Sequence, residues 1–127
     1  MSLRNSRSLA SPVLVTLACF MFVPAAFADS GSAIFKRYCS VCHSVEEGKN
    51  KIGPSLSGVV GRHSASIDDF NYSSAMKGLG VVWTPENLDK FLTRPAAMVP
   101  GTMMAFPGVK KDDDRKALIE YLANPGT

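Results

Sequence analysis

The sequence predicts an all-α domain of three main helices and short helical turns, joined by long loops that wrap around something. Two observations predict it. In three places apolar residues recur at helical spacing behind recognisable capping signals, whereas no stretch alternates as a half-buried strand does, and 80–83 is too short to be one. The segments between the helices are rich in glycine and proline. They are also longer than ordinary connections in a compact domain, which points to a function for them.

Reading from the N-terminus, the first 28 residues differ from the rest. Arg4 and Arg7 are the only charges before Asp29, and 12–22 reads PVLVTLACFMF. Ala26-Phe27-Ala28 then forms a small-x-small site. A basic head, an apolar middle and such a site predict a secretory leader over 1–28, removed to leave one domain over 29–127. An uncleaved anchor is the competing reading, since the uncharged run is just long enough to span a bilayer. Pro24 and the well-formed cleavage site argue against it. The short, Arg-headed form suits export to a bacterial periplasm.

Removing the leader takes away Cys19, Arg4 and Arg7 but no acid, so the formal charge falls from +3 to +1. That balance excludes a strongly basic nucleic-acid or membrane-surface binder. A chain of this size holds at most one domain with a small core, and a large buried cofactor would help it fold.

The first helix is expected to be capped by Ser30 or Ser32 and to carry Ile34, Phe35 and Tyr38. A short turn over 73–77 ends at Gly78. The next helix opens at Thr84-Pro85-Glu86, with threonine as cap and proline at the first position. Its inner face is Leu88, Phe91 and Leu92, and Arg94-Pro95 stops it. The last helix starts with Asp112-Asp113-Asp114, acids placed where the helix dipole favours them rather than as a metal site. Ala117, Leu118, Tyr121 and Leu122 give it an apolar stripe, and Asn124-Pro125-Gly126 ends it.

The first helix runs directly into Cys39-Ser40-Val41-Cys42-His43. A disulfide here would close a tiny loop and stabilise little. A redox dithiol belongs beside a βαβ pattern, which is missing. Zinc needs a second ligand pair, and the mature chain offers only His63 besides. What remains is C-x-x-C-H, the pattern of c-type haem attachment. Two thiols at this spacing reach the two vinyl groups on one edge of a porphyrin, and His43 is then held under the iron as proximal ligand. Candidates for the opposite axial position are Met76, Met98, Met103, Met104 and His63, because Met1 and Met21 lie in the leader. Any single methionine is core filler by default, and His63 by default is a surface loop residue. The rigid Pro100-Gly101 turn ahead of Met103 and Met104 singles out that pair, but chemistry alone does not choose within it.

The chain from Asp29 onward resembles class I cytochromes c, of the branch shared by mitochondrial and photosynthetic-bacterial carriers. Gly31 and Phe35 match the first helix, Cys39, Cys42 and His43 the haem site, and Leu118 and Tyr121 the last helix. Gly53-Pro54-x-Leu56 matches the loop whose proline carbonyl accepts the proximal histidine's N–H. Gly61-Arg62, Phe70-x-Tyr72 and Trp83 match residues that cover and hydrogen-bond the haem propionates. Pro100-Gly101-Thr102-x-Met104 matches the axial methionine loop, which favours Met104 over Met103.

The resemblance implies the cytochrome c fold and one covalent haem c with His43 and Met104 on the iron. Pro54, Arg62, Tyr72 and Trp83 would be the surrounding contacts. It also implies a monomeric, non-enzymatic carrier of single electrons in the periplasm. A quinol-oxidising complex is the expected donor, and a terminal oxidase, reductase or photosynthetic reaction centre the acceptor. Two other readings stand beside it: a haem subunit dedicated to one periplasmic dehydrogenase, and a haem protein whose labile methionine admits small ligands. Three positions depart from the branch. Phe91 replaces a tyrosine near the axial sulfur, Met76 a buried asparagine, and Met103 a lysine, so a strongly basic docking face is not expected.

Overall fold

Among the described residues five helices follow in sequence: α1 (Ala26–Tyr38), α2 (Ser74–Lys77), α3 (Pro85–Thr93), α4 (Pro95–Met98) and α5 (Asp112–Ala123). They are described from a computed structural model covering residues 26–126. The leader expected over 1–28 lies outside those residues except for its last three, which belong to α1. No helix among the described residues is long and apolar enough to cross a membrane.

The first and last helices cross. Gly31 sits so close to α5 that a Cβ there would fall 2.3 Å from the Ala117 carbonyl oxygen and 2.7 Å from Tyr121 Cβ. Only a residue without a side chain allows that approach. Beside it, the Phe35 and Tyr121 rings meet at 5.6 Å between centroids. Leu118 is fully buried under the crossing, and a leucine so placed contributes about 1.5–3 kcal/mol. Helices α3 and α4 complete the core from the other side, α3 through Leu88, Phe91 and Leu92.

Several sequence expectations hold in detail. The turn expected over 73–77 forms as α2 and ends at Gly78; Ser73 caps it, accepting the Met76 N–H at 3.1 Å, a role not read from the sequence. Thr84 caps α3, accepting the Asn87 N–H at 3.2 Å with Pro85 at the first position. The 80–83 segment forms no strand, only an isolated bridge between His63 and Val82.

Two expectations need correction. In the full-length chain α1 is already helical at Ala26, the first described residue, so Ser30 and Ser32 lie inside it there. Ala26 and Ala28 are strong helix formers, and nothing there interrupts the helix. The stop at Arg94-Pro95 is real, since Arg94 is extended at φ −160°, but Pro95 immediately opens α4. Proline is barred from a helix interior yet favoured at a first turn, so one residue both ends a helix and starts another.

Candidate functional site

The loops between helices surround a cavity of about 340 Å³. Cys39, Cys42, His43, Pro54, Arg62, Tyr72, Trp83 and Met104, all singled out from the sequence, line it. The chain is brought back to this space from six separate segments, which explains why its connections are long.

One wall grows from the end of α1. The Cys39, Ser40, Cys42 and His43 N–H groups bond to carbonyls of Phe35 and Cys39, so the helix tightens into a turn that holds both thiols and the imidazole. Both cysteines are unpaired. Burial first, and then the neighbouring Cys42, push the Cys39 thiol up to about 11. A redox dithiol needs the opposite, a thiol pKa held low.

His43 is positioned by the loop after it. Its Nδ1 donates to the Pro54 carbonyl at 2.8 Å, which fixes the tautomer and leaves the Nε2 lone pair free to ligate. Burial holds its pKa below the ordinary imidazole value. The hydrogen bond to Pro54 opposes that shift and the Lys51 charge adds to it. The ring is therefore neutral, the form that binds a metal. Gly53 is required here, because a Cβ would lie 2.3 Å from His43 Cε1. Ser55 braces the loop: its hydroxyl donates to the Glu46 carbonyl at 2.6 Å and its N–H to Asn50 Oδ1 at 2.9 Å.

Arg62 is half-buried and held from behind. Nη1 donates to the Ser57 carbonyl at 2.7 Å and Nη2 to the Ser55 carbonyl at 2.9 Å. Its Nε is buried with no hydrogen-bond partner. A buried donor left unmet costs about 1–3 kcal/mol, so this one calls for an acceptor that belongs in the cavity. Burial lowers the Arg62 pKa, while nearby Tyr72 raises it. Tyr72 packs edge-on against Phe70 at 4.9 Å, and Trp83, nearly buried, against Phe91 at 5.0 Å.

The opposite wall is the loop between α4 and α5. Val99, Pro100, Gly101 and Thr102 make a tight turn, closed by Thr102 N–H to the Val99 carbonyl at 3.0 Å with Gly101 at φ 88°. That positive φ is what a type II turn asks of glycine. The Thr102 hydroxyl accepts the Met104 N–H at 3.2 Å. Met104 is partly buried and packs against the core, whereas Met103 is 65% exposed. Met98 packs as core filler. Met76, read by default as filler, packs against the core as expected and also lines the cavity. His63 is exposed, as expected, but its loop brings it to the cavity wall.

These residues fit a flat, largely apolar macrocycle with an acidic edge. Two thiols can bond one side of it, an imidazole and a thioether can face a central metal, and the orphaned Arg62 Nε would find an acceptor in the acidic edge. The Ser55 and Ser57 carbonyls that aim Arg62 had no signal in the sequence, because backbone acceptors are not written in residue types.

A fold of crossed terminal helices around such a cavity defines the class of small proteins with covalently attached haem. The cytochrome c family model matches residues 28–125. The chain is 49% identical over 96 residues to a cytochrome c2 of Agrobacterium tumefaciens, covering 72% of this chain and 86% of that one. It is 47% identical over 102 residues to cytochrome c2 of Blastochloris viridis, covering 78% and 80%. It is 44% identical over 100 residues to cytochrome c 2.1 of Caenorhabditis elegans, covering 79% and 90%. The chain belongs to the cytochrome c family, an electron-carrier family whose members hold one covalent haem c with iron.

Proposed function

We propose that this protein is a periplasmic shuttle of single electrons between respiratory or photosynthetic complexes. Cys39 and Cys42 hold the haem, and His43 and Met104 are the axial pair. Bound there, the haem iron supplies a one-electron couple. The observation that carries the reading is one cavity with both thiols and the Pro54-oriented imidazole on one wall and the Met104 loop on the other.

The chain's own residues do the rest. His43 Nδ1, tied to Pro54, keeps the imidazole in one orientation in both redox states. With His43 and Met104 both holding the iron, a substrate would have no open site, which suits a carrier rather than an enzyme. Phe91, Leu88 and Leu92 exclude water, and burial together with a thioether ligand favours the reduced state. Arg62, with Tyr72 and Trp83 beside it, receives the acidic edge. Around the cavity mouth Tyr38, Ile52 and Met103 are exposed apolar side chains. That rim favours weak, transient docking over a small area by a monomer. A membrane quinol-oxidising complex is the donor in this reading, and an oxidase, reductase or reaction centre the acceptor. Cleavage after Ala28 yields the mature chain 29–127, and the mass of the exported protein checks both the cleavage and one added haem.

The ligand pair is tested by spectroscopy. Met104→Ala should abolish the methionine-to-iron charge-transfer band of the ferric protein, and Met103→Ala should keep it. The reverse pattern would sink the assignment. Phe91 places no hydroxyl near Met104, which favours a second reading, a labile methionine that admits small ligands. Rapid binding of carbon monoxide to the ferrous protein at neutral pH would favour that reading over the carrier.

A further inference from the structure

The loop that carries Met104 has few ties at its centre. It forms no helix or strand over 99–111. Near Met104 the hydrogen bonds are local: those from Thr102 and Met104 already described, and Phe106 N–H to the Met104 carbonyl at 3.0 Å. The Phe106 ring meets Tyr38 at the end of α1, 6.2 Å between centroids, and the loop's long-range hydrogen bonds come a few residues later, at the end of α3. Val109 N–H donates to the Leu92 carbonyl at 2.8 Å. The Lys110 ammonium donates to the Thr93 carbonyl at 3.0 Å and to the Pro107 carbonyl at 2.6 Å. Gly108 lies so close to α3 that a Cβ would fall 2.3 Å from the Thr93 carbonyl oxygen.

Behind this junction sits Arg115, 6% exposed. A guanidinium is always charged, and burying a charge is costly unless it is paired and hydrogen-bonded. Here it is. Nη1 donates to the Val109 carbonyl at 3.0 Å and the Lys110 carbonyl at 3.2 Å. Nε donates to Asp89 Oδ1 and Nη2 to Asp112 Oδ1, each at 2.8 Å. One side chain therefore joins the end of the Met104 loop, helix α3 and the first turn of α5. The Asp112 carboxylate is 90% exposed, so its bridge adds little. The Asp89 bridge and the two carbonyl contacts hold the joint. Neither Asp89 nor Arg115 stands out in the sequence.

We propose that Arg115, with Asp89, is a positioning pair for the axial ligand. It fastens the loop's C-terminal end to α3 and so sets how readily Met104 yields its place to another ligand. The proposal rests on the reading that Met104 is that ligand. A loop fastened at both ends gains little freedom by letting go in the middle. Released at one end, it gains the entropy of a longer open chain, and opening becomes a local event rather than global unfolding. An external ligand binds only to the opened state, so its apparent affinity is scaled by how often that state is populated.

The test is an imidazole titration of the ferric holoprotein, followed by loss of the methionine-to-iron band, alongside denaturant unfolding. Arg115→Gln should raise the apparent imidazole affinity about tenfold or more, since hydrogen bonds to a charged, buried group are among the strongest in a protein. Asp89→Asn should raise it about threefold, as expected for a half-exposed ion pair. Gly31→Val strains the α1–α5 crossing instead. It should lower the denaturant midpoint yet leave imidazole affinity within about twofold, because its mechanism is overpacking remote from the loop. If Arg115→Gln does not fold, Asp89→Asn carries the test, since it keeps the guanidinium and its carbonyl contacts. Unchanged affinity in the Arg115 and Asp89 variants, or an equal rise in Gly31→Val, would overturn the proposal. The Met104→Ala control separates the two layers. If it keeps the band, the ligand assignment fails and the positioning pair with it. If it loses the band while the latch variants bind imidazole like wild type, only the positioning pair fails.

Discussion

The two walls of the cavity are built by different means. The wall of Cys39, Cys42 and His43 continues α1, which α5 crosses in direct contact at Gly31 and Ala117 over the fully buried Leu118. The wall of Met104 is a loop without regular structure, held by a tight turn at one end and by Arg115, Val109 and Lys110 at the other. Local stability follows buried apolar contact and protected hydrogen bonds, so the first wall opens only when the domain unfolds, while the second can open alone. In the proposed reading, the permanent attachments would sit on the rigid wall and the exchangeable ligand on the yielding one.

The largest expected effect comes from removing the rigid wall's chemistry. Cys39→Ser combined with Cys42→Ser should leave no haem on the chain after denaturing electrophoresis. Haem retained by the double variant would mean that the attachment lies elsewhere. Next in size is Gly31→Val. Its side chain must enter space already occupied by the Ala117 carbonyl and Tyr121 Cβ, and overpacking of this kind costs up to about 3 kcal/mol. Denaturant unfolding of the holoprotein measures it. A variant as stable as wild type would show that the crossing is looser than described here.

His43 provides a pH test of the same wall. In the folded chain its pKa is lowered, chiefly by burial, so the unfolded state binds the proton more readily. Stability then rises with pH wherever the unfolded state holds more protons. The contribution is intact above the ordinary imidazole value, about 6.5, and is lost as pH falls from there through the folded pKa. Apoprotein that folds should therefore show a lower urea midpoint at about pH 5 than at about pH 7.5. An equal midpoint at both would count against a buried, neutral His43.

The rigid wall was also the more legible one in the sequence. The stripe of α5 and the Cys39-Cys42-His43 spacing are local signals, in which a few neighbouring residues decide the outcome. Pro54 and Met104 needed the family resemblance, because the partner each would serve lies far away in sequence. The start of α1 was missed because Ser30 and Ser32 look like caps, yet the residues before them are helical as well. Helix α4 was missed because Pro95 reads as a terminator before it reads as a first turn. The Arg115 joint was illegible for another reason. An arginine among acids on a helix looks like a solvated charge, and only the folded chain brings Asp89 and the Val109 and Lys110 carbonyls around it.

The smallest expected effect lies under the yielding wall. Thr84 caps α3, the helix to which the Met104 loop is fastened, and its hydroxyl satisfies the Asn87 N–H. Thr84→Ala leaves that donor to water and should cost about 1 kcal/mol, a fall in Tm of about 4–8 °C for a domain of this size. Thr84→Ser keeps the oxygen and should recover most of it. Because α3 also packs on α5, the loss should register in global unfolding and not in imidazole affinity, which Arg115 governs. A Thr84→Ala variant that binds imidazole as readily as Arg115→Gln would show that the loop follows the stability of α3 as a whole, not one guanidinium at its end.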